Sequence, residues 1–196
     1  MGACAPNAAH LALARLALGH AATLIVTQNV DGLHHRAADL AAARTAGSGR
    51  EAADPSRAYA LEVHGAIHRD RCSICERRTP AGTVDASTEE SLPRCDSCGG
   101  LLRPDVVWFG ESLDPGLLSR AFDEAARADV CLVVGTSAVV HPAAAVPEAT
   151  LARGGAVIEV NPDATPLTAR AEVSLRGKAA ELLPDLLSSY RQLPSN

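Results

Sequence analysis

Three polar side chains that could bind a ligand stand directly after an apolar run. Gln28, Asn29 and Asp31 follow the aliphatic residues 24–26. A short apolar run that stops at two carboxamides and a carboxylate indicates a buried strand whose C-terminal end carries polar groups. In open α/β sheets that edge binds ligands, although Asn and Asp in a turn often do no more than cap backbone amides.

Two later predicted strands end in a similar way. Residues 135–137, Gly-Thr-Ser, follow the strand predicted at 129–134, and Asn161 follows the one at 155–160. Backbone amides and hydroxyls at 135–137 suit anion binding at a helix N-terminus, or a plain N-cap. Together the three strand ends predict one polar crevice for a ligand of several parts.

Four of the six cysteines form two C-x2-C pairs, Cys72 with Cys75 and Cys95 with Cys98. Since the sequence shows no basic-then-apolar secretory pattern, this spacing favours a metal site over disulfides. Four thiolates close a tetrahedral shell around Zn²⁺ and leave no position for water, so the predicted zinc is structural. Zinc ribbons also occur in nucleic-acid binders, and that alternative predicts salt-sensitive DNA binding.

The composition is that of a soluble globular protein. The 196 residues are 47% hydrophobic, 21% are charged, and the net charge is −5. No apolar stretch approaches the roughly 20 residues that span a bilayer. The acidic balance argues against a nucleic-acid partner. We therefore expect a cytoplasmic protein that binds neither nucleic acid nor membrane.

The elements that must position these residues alternate along the chain. Helices are predicted at about 6–19, 114–127, 142–153 and 178–191, and strands at 23–28, 59–63, 129–134, 155–160 and 171–175. The segment 37–57 is predicted to continue a helix and then form a flexible surface insertion. This alternation predicts the α/β class, a Rossmann-like, doubly wound parallel sheet with right-handed crossovers. The predicted Rossmann-like domain comprises 1–66 and 103–196, and residues 67–102 form an inserted zinc-ribbon module.

The order of these motifs resembles the sirtuins, the NAD-dependent protein-lysine deacylases. The matching motifs, in order, are Gln-Asn-x-Asp-Gly, His-Gly, two C-x2-C pairs, Arg-Pro-x-Val-Val-x-Phe-Gly-Glu, Gly-Thr-Ser and Ile-Glu-Val-Asn. Trp108 within Val-Val-Trp-Phe-Gly-Glu is similar to the branch that includes desuccinylases and many bacterial enzymes. The resemblance implies NAD as co-substrate, one structural Zn²⁺, acyl-lysine proteins or peptides as partners, and nicotinamide and 2′-O-acyl-ADP-ribose as products.

The resemblance also implies roles for individual residues. His64 matches the general base, a role that suits an imidazole side chain, and Asn29 and Asp31 match residues that help to expel nicotinamide. The implied cofactor-binding residues are Gln28, Asn29, Val30, Asp31, Gly135, Thr136, Ser137, Asn161 and Ala179. The implied peptide-binding residues are Val107, Trp108, Phe109, Gly110 and Glu111, which would pair with substrate by strand addition.

The chain differs from the family's pattern at its N-terminal end. The first strand and the Gly-Ala-Gly-x-Ser loop are missing, and in the family's sheet that strand lies between those predicted here at 23–28 and 129–134. We therefore expect unpaired strand edges at this gap, and we interpret residues 1–196 as a fragment or a truncated gene model. The alternative function is an inactive remnant that keeps the zinc and binds peptide or ligand weakly.

Overall fold

Helices and short strands alternate through the computed structural model, which describes residues 4–20, 22–46, 54–82 and 87–190. The helices are α1 (Ala8–Gly19), α2 (Leu33–Ala46), α3 (Pro115–Arg127), α4 (Val146–Ala152) and α5 (Ala179–Tyr190). The strands are β1 (Val26–Thr27), β2 (Leu61–Glu62), β3 (Gly65–Cys72), β4 (Arg78–Pro80), β5 (Leu102–Val106), β6 (Val130–Val134), β7 (Ala156–Val160) and β8 (Val173–Leu175). The predicted α/β class is confirmed.

The parallel strands form two separate ladders. β1 pairs with β2 over two residues, and β6, β7 and β8 form a three-stranded sheet in that order. Within the described ranges no backbone ladder joins β1 to β6. The two strands that the resemblance places beside the gap are therefore not paired with each other. The strands predicted at 23–28 and 59–63 shorten to two residues each, since regular pairing persists only where a partner backbone runs alongside.

Two other predicted elements need correction. The helix predicted at 142–153 is instead a 3-10 turn, Ala143–Ala145, followed by the short helix α4. Pro147 explains the break, because proline lacks an N–H and fits an α-helix only in its first turn. The strand predicted at 171–175 is confined to β8. In the segment 37–57, α2 continues to Ala46 as predicted, and the insertion at 47–53 lies outside the described residues.

Alanine faces let the helices pack closely around both sheets. Ala14 of α1 packs on Ala37 and Ala41 of α2. Ala9 and Ala12 of the same helix are buried against Leu183 of α5 and Val160 of β7. Helix α1 therefore connects the side of the molecule that holds β1 and β2 to the side that holds β6–β8. Within the described residues, no helix combines the length and the apolar character that a bilayer crossing needs.

The cysteine segment forms an antiparallel sheet of its own. Its strand order is β4-β3-β5. β3 follows directly after β2, and β3 and β5 cross tightly there: a Cβ on Gly65 would lie 2.0 Å from the Asp105 carbonyl oxygen. Gly65 has φ +79°, so both its backbone conformation and its neighbour require glycine.

Candidate cofactor site and metal centre

Three strand ends meet in one polar crevice. The Gln28 amide Nε2 donates to Thr136 Oγ1 at 3.4 Å, and Asn161 Nδ2 donates to the Thr136 carbonyl at 2.7 Å. The Gly135 amide donates to the Val160 carbonyl at 2.9 Å. Thr136 therefore links the ends of β1, β6 and β7, although the long Gln28 contact is the weakest of these bonds.

His64 lies at the end of β2, beside the end of β1. Its Nδ1 is 3.2 Å from the Gln28 carbonyl oxygen, and its own carbonyl accepts from the Val107 amide at 3.0 Å. A proton on Nδ1 donated to the Gln28 carbonyl leaves the lone pair on Nε2. That tautomer is the one a general base needs. The half-buried imidazole is thus oriented by the residue that directly precedes Asn29.

Asn29 and Asp31 are exposed on the loop between β1 and α2. The Asn29 backbone amide donates to Thr27 Oγ1 at 3.1 Å, and Asp31 Oδ1 accepts from the Leu33 amide at 3.0 Å. Asp31 therefore caps the first turn of α2, the structural role that its residue type also predicts. The capping bond engages one oxygen of the Asp31 carboxylate and fixes its position at the crevice. The side chain stays exposed to solvent.

Gly135 leaves room for a ligand at the start of the 135–137 loop. It is exposed, has φ +58°, and apart from Gly135 itself and its two chain neighbours no heavy atom of the described residues lies within 4 Å of where its Cβ would be. Ser137 is also exposed, whereas Thr136 is half-buried. Ala179 lies at the first turn of α5, where it packs against the cluster that contains Val134, Val160 and Leu183. Val30 is half-buried between Asn29 and Asp31.

A buried carboxylate that the sequence interpretation missed holds the loop after β7. Glu159 is 1% exposed. It accepts hydrogen bonds from Thr165, Thr168, Ser174 and Arg176. Burial alone would raise the pKa of Glu159, but these donors outweigh it and lower the pKa below its ordinary value. The signal was available, because an acid inside the apolar run 156–160 is unusual unless it has buried partners.

Arg176 extends this cluster to Asn161. Its Nη1 donates to the Asp163 carbonyl at 2.8 Å and to the Asn161 carbonyl at 3.4 Å, while Nη2 lies 2.9 Å from Glu159 Oε2. Both side chains and backbone carbonyls of the loop that begins with Asn161 are therefore hydrogen-bonded within this cluster. Nothing in the spacing of Glu159 and Arg176 would have identified this pairing beforehand.

The predicted peptide-binding segment forms an exposed turn. Glu111 Oε2 accepts from the Trp108 amide at 3.1 Å and from Arg103 Nη2 at 2.8 Å. The Arg103 bond, then the Trp108 amide, lower the pKa of Glu111. Phe109 is 99% exposed and Trp108 is 55% exposed. Val107 alone is tied to the crevice, through the His64 carbonyl, and Gly110 has φ +90° at the tip of the turn.

The four predicted metal ligands converge. One Sγ from each of Cys72, Cys75, Cys95 and Cys98 lies within 4.8 Å of the other three. The Cys75 and Ile74 amides donate to Cys72 Sγ at 3.5 and 3.4 Å and lower the pKa of Cys72 to about 6. Four sulfur donors in this arrangement fit a structural Zn²⁺. The predicted zinc site is thus supported by geometry as well as spacing.

Comparisons with known proteins give one consistent answer. The model of the Sir2 family matches residues 1–142. "NAD-dependent protein deacylase 1" of Archaeoglobus fulgidus is 45% identical over 187 residues, which cover 95% of this chain and 68% of that relative. The chain therefore spans about two thirds of the relative's length.

Two solved structures extend the likeness to the fold. A mutant Sir2 homologue in complex with 2′-O-acetyl ADP ribose matches with a TM-score of 0.78 and 43% identity over 98% of this chain and 70% of that one. A Sir2 complex with a p53 peptide and NAD⁺ matches with a TM-score of 0.77 and 30% identity, over 96% of this chain and 71% of that one.

Proposed function

We propose, since this chain belongs to the Sir2 family, that it is an NAD-dependent protein-lysine deacylase. This reaction consumes NAD and a water molecule: the acyl group of a modified lysine passes to the ribose of NAD, and nicotinamide, free lysine and 2′-O-acyl-ADP-ribose are released. The observation that carries the proposal is the meeting of three strand ends, through Gln28, Thr136 and Asn161, beside an oriented imidazole. The ligands of the related structures, an acetylated ADP-ribose and a peptide with NAD⁺, support the same chemistry.

The crevice fits the parts of a dinucleotide. The open side of Gly135 and the exposed Ser137 offer backbone and hydroxyl donors, the groups that bind phosphate and ribose oxygens. The cluster of Glu159 and Arg176 fixes Asn161, which we assign to the adenosine ribose. Asn29 and Asp31, at the other end of the crevice, are assigned to the nicotinamide half. Bound NAD would supply the ADP-ribosyl group that receives the acyl group.

His64 is the proposed general base. With Nδ1 directed at the Gln28 carbonyl, Nε2 can take the proton of a ribose hydroxyl and later return it to solvent. The exposed turn at Val107–Glu111 is the proposed binding segment for the acyl-lysine peptide, because its Trp108 and Phe109 rings and its backbone face solvent beside the His64 carbonyl. The zinc ion supports the fold only, since four thiolates leave no coordination position open.

The test is turnover of the purified chain with NAD and an acetyl-lysine peptide. We expect nicotinamide release in equal amount to deacylated peptide, measured by liquid chromatography and mass spectrometry. His64→Ala should lower turnover by about 10²–10⁴-fold, the usual contribution of a general base, with zinc content unchanged. His20→Ala, at an exposed histidine after α1, is the matched control and should keep full activity.

The outcomes separate the alternatives. A wild-type chain that binds ADP-ribose but does not turn over would instead be the inactive remnant, in keeping with the gap between the two ladders. A chain that neither turns over nor binds ADP-ribose would overturn the assignment of the crevice. Cytoplasmic location and the lack of nucleic-acid binding stay predictions, and the second is checked by measuring DNA binding at low salt.

A further inference from the structure

We propose that Arg69 is a positioning residue, which holds a bulge of β3 against the loop that carries Asn29 and Asp31 and beside His64. The inference deepens the proposed function and rests on it. Arg69 lies outside the motifs that match the family, and we assign it no contact with cofactor or peptide.

Residues 67–69 form the bulge. β3 pairs with β5 at Ala66 and Asp105, and the pairing resumes at Asp70 and Pro104, so three residues of β3 have no counterpart on β5. Extra residues in one strand bend it and redirect its side chains, and such bulges are common beside active sites. Here the bulge comes directly after the crossing at Gly65.

The bulge touches the loop between β1 and α2 at two points. The Ile67 amide donates to the Val30 carbonyl at 2.9 Å. The His68 ring lies so close to Gly32 that a Cβ there would be 2.6 Å from His68 Cε1, and Gly32 has φ +68°. Val30 is the residue between Asn29 and Asp31. Movement of the bulge would therefore move the two side chains assigned to nicotinamide release.

Arg69 joins the bulge to two buried carboxylates. Its Nη1 lies 2.9 Å from Glu62 Oε2, and its Nε lies 3.3 Å from Asp105 Oδ2. The side chains of these two acids are only 6% and 7% exposed. Glu62 stands two residues before His64. Asp105 stands two residues before Val107, whose amide binds the His64 carbonyl at 3.0 Å.

One guanidinium thus links the strands on either side of the general base. The planar fork of arginine can bind two acids at once, whereas the single ammonium of lysine cannot reproduce that geometry. The two acids depend on Arg69 unequally. Asp105 keeps Arg78 at 2.9 Å and Arg71 at 3.8 Å, but among the described residues Glu62 has only His35 besides, at 3.8 Å. Loss of Arg69 therefore affects the β2 side most.

The experiment replaces Arg69 in the full chain. Arg69→Met removes both ion pairs, Arg69→Lys keeps the charge without the fork, and Arg69→Met with Glu62→Gln removes the buried charge that the first variant leaves unpaired. Arg127→Met is the matched control, because Arg127 makes an exposed pair with Glu124 on α3. Zinc content and thermal unfolding are measured for every variant.

Two readouts decide the matter. Hydrogen exchange by NMR at the Ile67 amide should become at least tenfold faster in Arg69→Met and in the double variant, whereas exchange at the Asn161 amide stays as in the wild type. In turnover, kcat should fall by about 100-fold, as misplacement of catalytic groups by an ångström can cause, with each KM changed by less than about threefold. Arg69→Lys should lie between these variants and the wild type.

Other results overturn the inference. Unchanged exchange at Ile67 in a folded, zinc-loaded Arg69 variant would show that Arg69 does not hold the bulge. A raised KM with unchanged kcat would assign Arg69 to binding alone. If the wild type itself does not turn over, the proposed function fails, and the exchange measurement still tests the positioning role by itself.

Discussion

The two parallel sheets support the candidate site by different means. β6 and β7 pair continuously over five residues, so Thr136 and Asn161 follow directly from regular strands. β1 and β2 pair over only two. On that side Asn29, Asp31 and His64 depend on a capping bond, a bulge and buried ion pairs. One half of the site is therefore held by backbone pairing, and the other by side chains from distant parts of the sequence.

Removal of the metal should have the largest effect, and the sides of the molecule that hold the two parallel sheets should respond to it differently. Zinc binding contributes about 10–16 kcal/mol in zinc-finger peptides, and here β3 and β5 connect the metal centre to His64. We expect Cys95→Ser, or chelation, to abolish turnover and to speed amide exchange throughout β3 and β5. The Asn161 amide should remain protected.

The control for this prediction is Cys4→Ser, at an exposed cysteine outside the metal cluster. That variant should keep one zinc per chain, measured by elemental analysis, and full activity. Protected β3 amides in a zinc-free chain would contradict the prediction and show that the module folds without its metal. Equal loss of protection in β7 would show that the two sheets unfold as one unit.

Glu159→Gln should act on the β6–β8 side alone. The change weakens hydrogen bonds to a charged, buried group, which are worth about 1.5–3 kcal/mol each. We expect a loss of about 1.5–3 kcal/mol in the free energy of unfolding by urea, and affinity for ADP-ribose lower by about tenfold. Exchange at Ile67 should not change. Glu124→Gln, at an exposed pair on α3, should cost less than about 1 kcal/mol. Unaltered ADP-ribose affinity would separate Glu159 from the site.

Mild acid should act on the β1–β2 side, with the smallest effect. Burial, then the neighbouring His10, lowers the pKa of His34 to about 4 from 6.5, while Asp31 raises it and His35 lowers it further. The unfolded chain therefore takes up a proton first, so stability is full above pH 6.5 and falls as the pH drops towards 4. Because His34 is partly exposed, solvent screens part of this effect, and we expect the free energy of unfolding to fall by about 1–2 kcal/mol.

His34→Gln should flatten this pH dependence, measured by urea unfolding at pH 7 and pH 4.5, whereas His20→Gln should not. The β6–β8 side offers an internal contrast, because the pKa of Glu159 is lowered from 4.5 and its contribution is lost only below that value. Equal slopes for wild type and His34→Gln would contradict the assignment and place the acid-sensitive group elsewhere.

The sequence predicted the two sides of the site with unequal success. Residues 130–134 and 156–160 are apolar runs long enough to form strands by themselves, and their bounds were predicted to within a residue or two. The four cysteines were equally clear, because ligand spacing is a local property. The runs at 23–28 and 59–63 gave the right strands but the wrong lengths, since length there depends on neighbouring backbone.

The bulge and its arginine were not predictable from pattern. Arg69 binds acids that are 7 and 36 residues away, and no local period marks such a pair. Even so, Glu62 and Glu159 share a signal that sequence reading can use. Each is a lone acid inside an apolar strand, and in both cases the structure buries the acid and gives it hydrogen-bond partners.

The separation of the two ladders has a mechanical consequence. Within the part of the chain that the structure describes, one long side-chain bond, Gln28 to Thr136, joins them at the crevice. A dinucleotide bound across both ladders would contact each of them and restrict their motion relative to one another. Part of its intrinsic affinity would go into aligning them, and the loaded protein would be stiffer and harder to melt than the empty one.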